Sequence, residues 1–349
     1  MRKEGDLMKK KMFQWVSTSV IVGVFACTAI IVFGSAAPGQ QTGDRRLTVH
    51  IQEVFDAKII LAPFDGVKTA KPIGEVLGVK KGASGTITIP AHYLPGEFLL
   101  TLSYRTKEAD APYPSERIIY INKQDIELTV NPPYITNDEK TKFSAGETEN
   151  TVYSAFMKEN TLKRIQIELL KQFLSGYDRP KSVVYSEGAK EFEVRRSEYN
   201  AWLTAQTKKY QDLFVSKTFQ FQYVPSIVWN GDEKAQMSQL QKNYFEGIDF
   251  TDPIITRLRE LSLFMDGYVN LYGTQAKTEE LRDTLFTEAG KIACEKAIAG
   301  DPSVCSWMVD YFSAGYETNK ITKGLDMLKQ YKNNPKCVSE KKVTGDMGQ

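Results

Sequence analysis

At Asn131-Pro132-Pro133 the hydrophobic rhythm of the chain changes. Strand-like alternation precedes it and helical spacing follows, so this break restricts the fold to strands first and helices after. Two prolines in succession lack amide donors and cannot extend a central strand. Before the break, strand candidates fall at 47–54, 58–63, 73–79, 86–89, 98–104, 117–121 and 126–130, all short and rich in Ile, Val, Thr, Phe and Tyr. Turn signals separate them, among them Phe64-Asp-Gly66, Gly82-Ala-Ser-Gly85, Pro95-Gly96 and Asn122-Lys-Gln-Asp125. About seven strands at this spacing predict an antiparallel β-sandwich, placed at 44–133. Phe98, Leu100, Leu102 and Tyr104 share one strand face and are core candidates.

After the break the spacing predicts an all-α helical domain over 144–334, giving an α+β chain overall. Val152, Phe156, Leu162, Ile165, Leu169, Leu170, Phe173 and Leu174 recur at helical intervals until Gly176-Tyr-Asp-Arg-Pro180 breaks the pattern. A second periodic stretch runs over 191–215, and Phe219-Gln-Phe-Gln-Tyr-Val-Pro225 then alternates like a short extended link. Asp252-Pro253 reads as an N-cap followed by proline at the first helical position, with Ile254, Ile255, Leu258, Leu261, Phe264 and Tyr268 behind it. A further helix is expected over 277–299. In Gly300-Asp301-Pro302, the glycine would close it and the other two would start the next helix. Helices joined by short loops are expected to pack antiparallel. Residues 335–349 are polar and read as a flexible tail.

Residues 1–38 read as a signal peptide or membrane anchor. Arg2, Lys3, Lys9, Lys10 and Lys11 precede a stretch, 12–37, with no Asp, Glu, Lys or Arg. About 20 apolar residues span hydrocarbon as a helix. The basic flank stays inside, so the rest is expected outside, in a periplasm-like compartment. An uncleaved inner-membrane anchor, a cleaved signal at Gly34-Ser35-Ala36 and a lipoprotein at Cys27 are the three routes. The lipoprotein fits least, because bulky Phe25 precedes the cysteine and apolar residues follow it.

Net charge is +2, and the first 38 residues carry all of the excess, so the exported part is close to neutral. That argues against nucleic acid as a partner. The two histidines, His50 and His92, rule out a His-rich metal site. Alternation places His50 on a strand's solvent face, and His92 falls in a turn. A hydrolase built on either is the sharper but weaker reading. No phosphate loop, zinc-ligand spacing or Gly-x-Ser-x-Gly occurs, so no catalytic, cofactor or metal residue is assigned.

Phe64-Asp-Gly66, Gly85-Thr-Ile-Thr-Ile89, Leu94-Pro-Gly-Glu97-Phe98, Glu147-Thr-Glu149-Asn150-Thr-Val-Tyr153 and Asp249-Phe-Thr-Asp252-Pro253 carry a resemblance. They resemble the N-terminal β-sandwich and helical region of TlpA/ResA-type thiol–disulfide oxidoreductases of Bacteroidota envelopes. In that family a thioredoxin-like domain follows, which here would begin near residue 335. The sequence has no Cys-x-x-Cys, the pair that attacks and resolves a mixed disulfide, so the resemblance does not carry the activity over. Cys294 and Cys305 flank the Gly300 bend and are candidates for a disulfide. As such they would be a structural staple or a redox pair; otherwise they are two buried thiols. Cys337 is left over in the tail. The leading expectation is a non-enzymatic envelope module that binds another envelope protein. The alternative is a thiol–disulfide protein, or a partner of a separate thioredoxin-like oxidoreductase.

Overall fold

Alternation along the first strand shows how the strand half is built. In β1 (Arg45–Ile51), Leu47, Val49 and Ile51 are fully buried, while Thr48 and His50 point outward. The computed structural model describes residues 43–65, 68–69 and 71–337. The expected signal or anchor, and the tail beyond Cys337, lie outside the described residues. No helix among the described residues is long and apolar enough to cross a membrane.

Eight further strands follow: β2 (Asp56–Asp65), β3 (Lys68–Thr69), β4 (Gly74–Lys80), β5 (Ser84–Ile89), β6 (Gly96–Arg105), β7 (Tyr113–Ile121), β8 (Ile126–Val130) and β9 (Thr141–Phe143). One sheet has the order β5-β1-β8-β9; the other is β3-β2-β6-β7, with β4 also on β2. Leu47, Val49 and Leu128 of the first sheet and Ile59, Phe98 and Leu100 of the second form one buried cluster. One pairing departs from the expected antiparallel pattern. β1 and β8 run parallel, Leu47 opposite Ile126 and Ile51 opposite Val130. They are far apart in sequence, so no hairpin constrains their direction.

Seven α-helices follow among the described residues: α1 (Glu149–Gly176), α2 (Val183–Lys209), α3 (Glu233–Asn243), α4 (Arg259–Gly273), α5 (Glu279–Ala297), α6 (Pro302–Asn319) and α7 (Thr322–Lys332). α1 and α2 pack through Phe156, Ile167, Leu174, Tyr185, Phe192 and Tyr199. α4 to α7 close around Leu261, Met265, Tyr268, Ala293, Met308 and Leu328. Tyr120 of β7 joins this second cluster with Ile118 against it, while Ile119 and Ile121 face the core between the sheets. The last strand of the larger sheet is therefore covered on both faces, and strands and helices form one compact unit.

Three local expectations are corrected. The periodic run after Asp252 is not one helix. Asp252 does cap it, accepting the Ile254 amide, but Pro253–Arg257 is a 3-10 turn, Leu258 is extended, and α4 starts at Arg259. The stretch expected to be an extended link lies largely in a 3-10 helix, Phe214–Gln222. Gly300 does not close α5 in a left-handed conformation. It is glycine because a Cβ there would stand 2.3 Å from the Phe250 carbonyl oxygen. Asp301 and Pro302 start α6 as expected, Asp301 accepting the Ser303 amide at 2.8 Å.

Candidate functional site

β6 alternates, so if Phe98 enters the core between the sheets, Glu97 must face the helices. Glu97 is 1 % exposed, and its Oε2 accepts the Arg259 backbone amide at 2.7 Å. Arg259 opens α4, and Leu258, at the N-cap position, offers no side-chain cap. A carboxyl from the sheet thus satisfies an orphan amide at a helix N-terminus. The next residue, Glu260, accepts the Tyr120 hydroxyl on Oε1 at 2.7 Å and the Tyr153 hydroxyl at 3.5 Å. Its Oε2 is buried and meets no donor. Glu97 lies opposite Tyr120, whose hydroxyl reaches Glu260, and binds the amide of the residue before Glu260, so the two carboxyls are neighbours. Burial first, then the nearby charge of Glu260, raises Glu97 well above the ordinary carboxylate range. Burial also raises the Tyr120 hydroxyl, with the charges of Glu260 and Glu97 adding to it.

The start of α1 completes this junction. Asn150 accepts the Tyr120 amide at 2.9 Å and donates to the Tyr120 carbonyl at 2.8 Å. Glu147 holds Asn150, accepting its backbone and side-chain nitrogens, each at 2.9 Å. Glu149 accepts the Phe214 and Val215 amides at 3.1 and 2.8 Å and the Asn122 side chain at 2.8 Å. That contact starts the 3-10 helix that alternation alone read as extended. Arg257 donates to the Leu94 and Pro95 carbonyls. Three stretches distant in sequence, around residues 94–98, 147–153 and 257–260, therefore meet at one junction between sheet and helices. Sequence reading missed Glu97, Tyr120, Tyr153 and Glu260. The available signal was an acid on the outward face of a strand, which reads as solvated until helices cover that face.

The cysteines pair differently from the expectation. Cys305 is bonded to Cys337, with Cα atoms 4.8 Å apart, and Cys294 is a free, buried thiol. The turn Pro335–Cys337 folds back on the α6 start, so the beginning of the expected flexible tail is packed and Cys337 is 4 % exposed. Cys294 faces the core of the helical half, where burial pushes its thiol up to about 12. Such a thiol is a poor nucleophile.

His50 Nε2 donates a 2.6 Å hydrogen bond to the Glu127 carboxylate on the neighbouring strand, in keeping with its outward position. His92 is exposed in the Ala91–Tyr93 turn beside the Tyr93 ring. The structure brings neither histidine to the junction. Among the described residues, no group of three His, Cys, Asp or Glu is placed to hold a metal ion.

On α1 the outer face carries Leu162 at 65 %, Ile165 at 52 % and Leu169 at 60 % exposure. The sequence put these three in the same helical pattern as Phe156 and Leu174, without assigning them a face. The buried face instead runs through Phe156, Asn160, Ile167 and Leu174, because helical spacing allowed two apolar stripes and α2 covers only one. No known family model matches the chain, and no curated protein matches it significantly.

Proposed function

We propose that this chain is a non-enzymatic binding or accessory module of the cell envelope. In this reading residues 12–37 anchor or export it, and a β-sandwich with a helical domain works on the outer side of the inner membrane. The observation that carries the binding role is the α1 stripe of Leu162, Ile165 and Leu169. Single exposed apolar residues are ordinary, but three on one helix face form a contiguous patch of the kind that marks interaction sites. Its rim mixes Lys158, Glu159, Lys163 and Glu168. Mixed charge around an apolar centre suits a protein partner better than an anionic lipid surface. The Cys305–Cys337 bond is consistent with an oxidising compartment.

The test is site-specific photo-crosslinking in cells, with the reactive group at Leu162 and, as a control, at exposed Leu77 on β4. The expected result is a discrete envelope-protein adduct from position 162 alone, lost when Ile165→Lys is added. Equal background from both positions would refute the binding surface.

A further inference from the structure

The carboxyl pair at the junction has an electrostatic problem that the proposed binding role does not address. Two carboxylates held side by side repel, and Glu97, 1 % exposed, is cut off from the water that would solvate its charge. Glu260 Oε2 is buried without a donor, although its Oε1 is well served by Tyr120. A proton lying between Glu97 and Glu260 gives that oxygen its partner. From α4, Arg259 presents its backbone amide to Glu97, and both that hydrogen bond and the Arg259 positive charge favour the ionised form, against the larger effect of burial. Tyr120 from β7 and Tyr153 from α1 present hydroxyls to Glu260. Arg257 is turned to the Leu94 and Pro95 carbonyls just before Glu97.

We propose that Glu97 holds a proton that it donates to Glu260, and that this proton latches the α4 N-terminus to the outer face of the larger sheet. When base in the solvent removes it, two adjacent carboxylates remain across the seam between strands and helices, and the seam loosens. The direction follows from the raised position of Glu97. The folded state binds the proton more tightly than the unfolded chain does. The latch is therefore complete below the ordinary glutamate range and is lost as pH rises through the raised value. Alkaline pH opens the seam; acid does not.

The experiment is hydrogen exchange on the full chain between pH 5 and pH 9, corrected for intrinsic exchange and read at the amides of the α4 first turn. Wild type is expected to lose protection at least about tenfold across this range, the equivalent of one unit of linkage. Glu97→Gln keeps an acceptor for the Arg259 amide and supplies a fixed donor to Glu260, so its protection is expected to stay level. Parallel losses in both proteins would overturn the proposal. A second readout needs no variant. Carbon-13 titration of the side-chain carboxyls in wild type should show one glutamate titrating well above the ordinary glutamate range. If all glutamates titrate in the ordinary range, the latching proton is refuted.

Discussion

Replacing Asn150 with alanine would strip the partners from both the amide and the carbonyl of Tyr120 at once. It would also leave Glu147 without the amide nitrogen of that side chain. Each buried polar group left unsatisfied costs about 1–3 kcal/mol, so Asn150→Ala is expected to lower stability by roughly 2–5 kcal/mol in urea unfolding. An unchanged midpoint would show that water replaces the side chain at no cost. Cys294 makes a different prediction. With its thiol buried and raised to about 12, it should resist iodoacetamide at pH 8 in the folded protein and react fully once unfolded. Rapid native labelling would mean that the helical core opens. Neither residue's role was legible in the sequence. Asn150 was visible only as part of a helix start, and Cys294 was given to Cys305 because the two flank the same bend. The bonded partner, Cys337, comes from a turn that polar composition had marked as loose.

At the level of elements, most strands and helices were readable because one face of each repeats with its own period. The places where reading failed share a cause, a tertiary contact that replaces a local signal. α4 starts where Glu97 caps it rather than where its apolar period begins. The 3-10 helix at Phe214–Gln222 starts where Glu149 caps it. On α1 the helical pattern was right, but spacing alone does not say which apolar residues are covered, and Leu162, Ile165 and Leu169 face solvent. Ile165→Lys should therefore leave the unfolding midpoint within about 0.5 kcal/mol of wild type while removing partner capture. A large loss of stability would instead assign the stripe to an intramolecular contact. The Cys305–Cys337 bond closes a sequence separation of 32 residues. Such a link is worth about 3–4 kcal/mol, so reductant should lower the unfolding midpoint. An identical midpoint with and without reductant would mean that α6 holds the terminal turn without it.

Across the whole molecule, two acids oppose each other in their pH response. Asp56 is held below the ordinary carboxylate range, first by its hydrogen bonds from Arg105, so its contribution is present above that range and fades as pH falls. Glu97 acts in the opposite sense and its contribution fades as pH rises. Stability is expected to peak in the weakly acidic range, and Glu97→Gln should move the peak toward higher pH. A profile that does not move would separate Glu97 from global stability. The Asn150 side chain has one more effect at this scale. β7 is the terminal strand of its sheet, and an exposed terminal strand is a template onto which another chain can add. By engaging both the amide and the carbonyl of Tyr120, Asn150 takes up hydrogen-bonding sites that an intruding strand would need. The first turn of α1 thus guards the sheet against edge-to-edge aggregation, and a chain whose helices have not yet docked is the form most exposed to it.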